Sequence, residues 1–264
     1  MGDIIVCTPA KCGTTWTQSM IAMLLYGTTN LPDRLSALSP WVDSALSDAD
    51  GVGAVPPSPS GRRLVKTHTP ADGFPIWDGV YVVAVYRHPL DVFLSIRKHV
   101  MNAKLGDNPV LCGPIPAAVR YYAGIPFDIE DLDRDSLSGL CTHFQNTMSV
   151  ADKRNVTMLH YASMIAAHEQ TVSHLANVLD IAHDDALIND VTRATSMAAM
   201  RADPVRFVPE GGKGFWYDDT AFFDTGGTRK WQGILSDEDL AEFEMQMRAQ
   251  VRDASARQWL LTGD

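Results

Sequence analysis

Ile4-Ile5-Val6-Cys7-Thr8-Pro9-Ala10-Lys11-Cys12-Gly13-Thr14-Thr15-Trp16 decides the fold. The short apolar run over residues 3–7 meets a stretch containing proline and glycine, and beyond it Trp16, Met20, Met23 and Leu24 recur at helical spacing. The pattern predicts strand, loop, helix. A helix that opens directly after such a loop presents backbone amides without intrahelical partners, and its macrodipole favours negative charge at that end. Lys11, Gly13, Thr14 and Thr15 bring a cation, close main-chain approach and two hydroxyls to the same point. This is a seat for a phosphate. Its order differs from the nucleoside triphosphatase loop GxxxxGK[ST], because the lysine precedes the glycine and no first glycine is present. A dinucleotide dehydrogenase is excluded as well, since no GxGxxG follows the first strand.

Working outward, a second strand over Leu64-Val65-Lys66 runs into Thr67-His68-Thr69-Pro70. A third, Val80 to Tyr86, is the most continuously apolar segment, which predicts a strand covered on both faces. Pro89 suits the first turn of a helix running to about Ala103. A helical segment over 134–152 precedes a short strand, Val156 to His160, and helices are expected over 163–180, 184–202 and 236–260. Strands alternating with helices predict an α/β fold with a central parallel sheet flanked by helices. With 264 residues, 45% of them hydrophobic, the chain is expected to form one domain, 1–264. Residues 28–63 lack periodicity, and the Gly/Pro/Ser-rich stretch 51–61 reads as a surface loop and a candidate lid.

Charge narrows the partners. Against 32 acidic residues stand 22 basic ones, and a net charge of −10 argues against nucleic acid while leaving room for a small anion in a locally basic pocket. The longest apolar run, Met20 to Tyr26, is too short to span a bilayer. The first residues lack a basic start and a cleavage site, so the mature protein is expected to begin at Met1 and to be cytoplasmic. Cysteines 7, 12, 112 and 141 form neither a CxxC pair nor a zinc-type spacing and read as reduced thiols. No carboxylate cluster suggests a metal.

Lys11-Cys12-Gly13-Thr14-Thr15-Trp16 resembles the phosphosulfate loop T-Y-P-K-S-G-T-T-W of sulfotransferases that use 3'-phosphoadenosine 5'-phosphosulfate (PAPS), with Cys12 in place of serine. The resemblance implies the P-loop nucleotide-hydrolase-like architecture of that family. It further implies that Lys11 contacts the oxygen bridging sulfate and 5'-phosphate, that Thr14 and Thr15, with Cys12 and Gly13, hold the 5'-phosphate, and that Trp16 stacks on adenine. A second motif agrees with it. Arg87-His88-Pro89-Leu90-Asp91-Val92-Phe93-Leu94-Ser95 carries the family's arginine and, eight positions on, its serine, which makes Arg87 and Ser95 the ligands of the 3'-phosphate. A third, Lys66-Thr67-His68, matches the family's K-T-H and makes His68 the general base, with an imidazole suited to accept a proton near neutral pH. Lys66 adds positive charge at the transferring group or is a solvated lysine at the strand end.

Tyr161 resembles a family tyrosine near adenine, although Ala162-Ser163 replaces the acidic pair that usually follows, and Thr195 resembles a nucleotide-contacting threonine; plain packing is the other reading of both. Toward the C-terminus the likeness thins. Counted back from Trp231, Asp224-Thr225-Gly226 stands where the family has R-K-G. Either Arg229 and Lys230 supply the missing cations from a shifted register, with Gly226 and Gly227 wrapping the 3'-phosphate, or they face solvent. The family's dimer signature is absent, and no oligomeric state follows.

The implied reaction moves a sulfuryl group from PAPS to a small-molecule hydroxyl on a phenol, alcohol, lipid or glycolipid. His68 takes the acceptor's proton and Lys11 neutralises the leaving oxygen, without a metal. The alternative is a non-catalytic phosphonucleotide-binding or interaction protein on the same fold. Phe215-Trp216-Tyr217, Phe222-Phe223, Trp41 and Tyr121-Tyr122 are candidates for an acceptor pocket or for core.

Overall fold

A computed structural model describes residues 2–43, 55, 57–104, 108–131 and 134–264. Four strands, β1 (Ile4–Cys7), β2 (Leu64–Thr67), β3 (Tyr81–Tyr86) and β4 (Val156–His160), form one sheet of order β2-β1-β3-β4. Every pair is parallel, with Cys7 beside Thr67 and Ala84. After β2 the chain passes back over β1 to place β3 on its other side. The direction of winding therefore reverses between β1 and β3, the place where open α/β sheets leave a crevice beyond their carboxyl ends.

Alternation along β3 explains why both faces are covered. Val83 and Val85 belong to one buried cluster, while Ala84 and Tyr86 belong to another on the opposite face. On the first face lies α1 (Thr14–Tyr26), bounded by Gly13 at φ 112° and Gly27 at φ 62°. It is buried nearly all round rather than along one stripe, because the helices at 168–178 and 185–194 close over the side that β1 and β2 do not cover. A short helix, α2 (Leu35–Leu38), follows. The second face holds α3 (Pro89–Asn102), α4 (Ile115–Gly124) and α5 (Leu137–Met148), with Pro89 in the first turn of α3 as expected.

Three expected long helices are each two. The 163–180 segment is α6 (Tyr161–Ala166) and α7 (His168–Val178), and 184–202 is α8 (Asp185–Ala194) and α9 (Met197–Ala202). Beyond them lies α10 (Pro204–Phe207), and then α11 (Asp237–Gln250) and α12 (Ala254–Thr262) stand in place of one helix over 236–260. Side-chain caps account for two of the three breaks: Ser196 accepts from the amide of Ala199, and Asp253 from that of Ala256. Of the candidate lid, residues 51–54 and 56 lie outside the described residues. Among the described residues no helix is long and apolar enough to cross a membrane.

Candidate active site

Each of the four parallel strands delivers one chemically distinctive residue at its carboxyl end. β1 leads to Lys11, β2 to His68, β3 to Arg87 and β4 to Tyr161, and all four line one cleft of about 1050 Å³. Thr14, Thr15, Trp16, Lys66, Ser95, Gly226 and Lys230 line it too.

The floor is the loop after β1. Lys11 has φ 61° and Gly13 φ 112°, left-handed conformations that turn successive main-chain amides toward one side, as in anion-binding nests. A Cβ at position 13 would lie 2.9 Å from Cδ2 of Tyr161, so glycine is required there by space as well as by φ. Thr8 and Thr14 join their hydroxyls at 2.5 Å and tie the loop to the start of α1. Nζ of Lys11 lies 2.9 Å from Nδ1 of His99 and 4.3 Å from the ring centre of Phe222. Burial pulls its ammonium down to about 7; Asp135 opposes this, while Lys66, Arg87 and Lys230 add to it.

Arg87 is the second cation. It is only 5% exposed, yet no carboxylate pairs with it among the described residues. One of its amino groups donates to the carbonyl of Gly227 at 2.9 Å, its guanidinium lies 4.3 Å from the centre of the Tyr161 ring, and its buried Nε has no hydrogen-bond partner. A buried guanidinium with an unsatisfied donor is costly unless an anion completes it. Ser95, two helical turns further along α3, faces the same cleft. The Lys11 loop and Arg87 are thus two cationic groups on one cleft, each able to receive an anion.

His68 stands across from them. Its Nδ1 lies 2.5 Å from the carbonyl of Thr8, which can only accept, so the neutral ring carries its proton on Nδ1 and leaves Nε2 unprotonated. Burial, reinforced by Lys66, lowers the imidazole to about 4, with the Thr8 carbonyl and Asp43 opposing. Trp41 meets the ring edge to face at 4.7 Å, and Lys66 lies 4.3 Å from the centre of the Trp41 ring. Asp43 holds the turn beneath: it accepts from the Thr67 hydroxyl at 2.5 Å, from the Thr69 hydroxyl at 2.7 Å and from the amides of His68 and Thr69 at 3.2 and 3.0 Å.

Four residues read from the sequence as nucleotide ligands, Cys12, Thr195, Gly227 and Arg229, do not line the cleft. The Cys12 side chain is fully buried with Ala84, Tyr86 and Leu90, away from the cleft lining, and burial pushes its thiol up to about 12. The Thr195 hydroxyl is buried, donating to the carbonyl of Val191 and lying 3.0 Å from Nε2 of His168. Its carbonyl accepts from Nε1 of Trp16 at 2.8 Å, so it orients the indole. Arg229 is exposed and off the cleft wall; its amide donates to Asp91, as does that of Lys230. The Gly227 carbonyl faces Arg87, and the Gly226 carbonyl accepts from the Tyr161 hydroxyl at 3.3 Å.

The aromatic candidates divide. Trp41, Phe215, Trp216, Phe222 and Phe223 line the cleft, Tyr121 and Tyr217 are exposed, and Tyr122 is core. Three residues escaped sequence reading: Asp43, His99 and Asp91 in its role beneath the 229–230 segment. For His99 the signal was available, since it follows Ser95 by one turn on α3 and shares its face.

A family model described as the sulfotransferase domain matches residues 1–255. A glycolipid sulfotransferase of Mycobacterium bovis (strain BCG / Pasteur 1173P2) is 29% identical over 267 residues, covering 89% of this chain and 81% of that one. Among solved structures, mouse sulfotransferase SULT7A1 complexed with PAP superposes with a TM-score of 0.73 at 17% identity, covering 98% of this chain and 87% of that chain. Retinol dehydratase in a complex with retinol and PAP gives 0.74 at 17% identity, covering 95% and 81%. These two share the fold.

Proposed function

Because the chain belongs to the sulfotransferase family and transfers a sulfuryl group from PAPS to an acceptor hydroxyl, we propose that Lys11, His68 and Arg87 carry that transfer. The Lys11 loop takes the 5'-phosphosulfate, with Thr14 and Thr15 as additional donors. Arg87 and Ser95 take the 3'-phosphate, with Lys230 beside them, Gly226 on the wall and the Gly227 carbonyl holding the guanidinium. Trp16 and Tyr161 take the adenine.

His68 is the base in this reading. Its Nε2 accepts the proton of the acceptor hydroxyl, and Lys66 keeps the field around the transferring group positive. Lys11 stabilises the charge that develops on the leaving phosphate oxygen. The observation that carries the assignment is the Nδ1 contact to Thr8, which fixes the reactive tautomer in the cleft that also holds Lys11 and Arg87.

The acceptor presents its hydroxyl from an apolar body with a polar end. Trp41, Trp216 and Phe222 offer apolar surface close to His68 and Lys11, while Arg34, Glu210 and Lys213 add charge elsewhere on the same wall. The name of the mycobacterial relatives points the same way, to a glycolipid. The reaction is expected in the cytoplasm and from a single domain.

The test is sulfate transfer from PAPS to phenols, long-chain alcohols and glycolipids, followed by mass spectrometry of acceptor and nucleotide together. A sulfated glycolipid or alcohol formed in step with PAP is the expected result. Equal turnover by the His68→Ala chain would overturn the base assignment, and turnover confined to small phenols would overturn the acceptor class.

A further inference from the structure

Asp224 occupies the position where the resemblance calls for arginine, and its carboxylate is engaged. Oδ1 accepts from Nζ of Lys98 at 2.5 Å, and Oδ2 accepts from Nζ of Lys230. Asp224 and Lys230 line the cleft, with side chains only 17% and 15% exposed. Arg87 is near enough to Lys230 for its charge to oppose the lysine's ammonium. A carboxylate bridging two ammonium groups makes the contacts that two phosphate oxygens would make there.

Resting on the reading of Arg87 and Ser95 as the 3'-phosphate site, we propose that Asp224 is a built-in competitor of that phosphate, holding Lys230 and Lys98 until the nucleotide's 3'-phosphate draws Lys230 away. Asp224 thereby limits how tightly the 3'-phosphate is held and hastens departure of the desulfated nucleotide.

The pair is preformed, because both ends of the segment are anchored. Arg201 donates to the carbonyls of Phe223 and Asp224 at 2.6 Å each, and Asp91 holds the amide of Lys230 at 2.8 Å. Neither backbone is free to carry its charge out of the cleft. Arg87, Lys98 and Lys230 set three positive charges against one carboxylate, so the end of the cleft attracts a dianion while Asp224 opposes its closest approach. Such a compromise suits an enzyme whose product keeps the 3'-phosphate of its substrate, because whatever tightens the donor there also slows product release.

The experiment compares PAP with 5'-AMP by calorimetry on the full chain. Asp224→Asn keeps the size and one acceptor while removing the charge. It is expected to tighten PAP about tenfold, the scale of one charge-assisted contact, and to leave 5'-AMP unchanged. In a Lys230→Met background the same substitution is expected to lose most of that gain. Asp224→Ser is the second variant should the amide misfold. Weaker or unaltered PAP binding in the substituted chains would overturn the proposal, as would a full gain persisting without Lys230. Failure of the underlying reading looks different: the unsubstituted chain would bind PAP no more tightly than 5'-AMP, or Arg87→Ala would leave the ratio of the two affinities unchanged, and both ideas would fall together.

Discussion

Nζ of Lys11 donates to Nδ1 of His99 at 2.9 Å, so the lysine of the loop after β1 rests on a neutral imidazole. Burial lowers His99 to about 2, with Lys11, Lys66 and His68 adding to the effect, so the ring stays neutral and, with its single proton on Nε2, accepts that bond at Nδ1. Burial, with the charges of Lys66, Arg87 and Lys230 behind it and only Asp135 opposing, leaves Lys11 poised at about 7 against an ordinary 10.5.

Donor affinity should therefore depend on pH. The phosphosulfate anion favours the charged lysine, so binding takes up a proton wherever the free protein has lost it. Below about pH 7 Lys11 is charged in both states and affinity is flat; above it, affinity falls by up to about tenfold per unit until the bound lysine also titrates. Calorimetry in buffers of different ionisation enthalpy reads the proton uptake at pH 8. A Lys11→Met chain should lose it, and an unsubstituted chain without uptake would contradict the poised lysine.

Replacing His68 by alanine should cut turnover by about 10²- to 10⁴-fold and leave PAP affinity nearly intact. The pH profile is the sharper readout. Burial, with Lys66 behind it, keeps this imidazole neutral down to about 4, so the acid limb of kcat/KM should fall near there instead of near 6.5. The same shift makes folding acid-sensitive: the unfolded chain binds a proton at His68 between about 6.5 and 4 that the folded chain does not, and stability declines as pH falls through that window. An acid limb near 6.5 would remove either the burial argument or the residue.

Asp43 makes a separate prediction, because it touches no reacting atom. It accepts two hydroxyl and two amide hydrogens from Thr67, His68 and Thr69, and so sets the turn on which the imidazole is mounted. Asp43→Ala leaves those donors without their acceptor, at a cost of about 1–3 kcal/mol each where water does not replace it. A displaced base should lower kcat on the order of tenfold while KM for PAP holds. Asp43→Asn, which keeps one carbonyl oxygen, should restore part of the rate. A uniform loss of rate and PAP affinity without rescue would mean that the whole cleft has shifted.

How far the sequence could be read follows from which interactions are local. β1 with its loop and β3 with Pro89 announce themselves through contiguous apolarity and short-range turn chemistry, and the four strand ends lie where that alternation puts them. The helix breaks were harder. Periodicity runs straight through Ala167, Thr195 and Asp253 because the helices on either side bury apolar faces against the same layers, and the caps at Ser196 and Asp253 are single polar residues in that pattern. Cys12 shows the limit of motif transfer: a serine-like position in the loop is, in three dimensions, a core position beside Ala84. Asp43 and His99 act through partners 24 and 88 residues away, and no local spacing reports such contacts.

Gly13 offers the strictest test of the loop, because two independent constraints meet there. Its φ of 112° is a conformation that side chains other than glycine's rarely adopt, and a Cβ would sit 2.9 Å from Cδ2 of Tyr161. Alanine must either strain the backbone by about 1–3 kcal/mol or push Tyr161 off the Arg87 guanidinium. The first response lowers the melting midpoint by roughly 2–10 °C. The second leaves the midpoint higher but disturbs the surface under Arg87, so PAP affinity falls more than 5'-AMP affinity. Measuring melting and both affinities on Gly13→Ala separates the two. A chain unchanged in all three would show that the loop does not need the left-handed turn from which the phosphate seat is built.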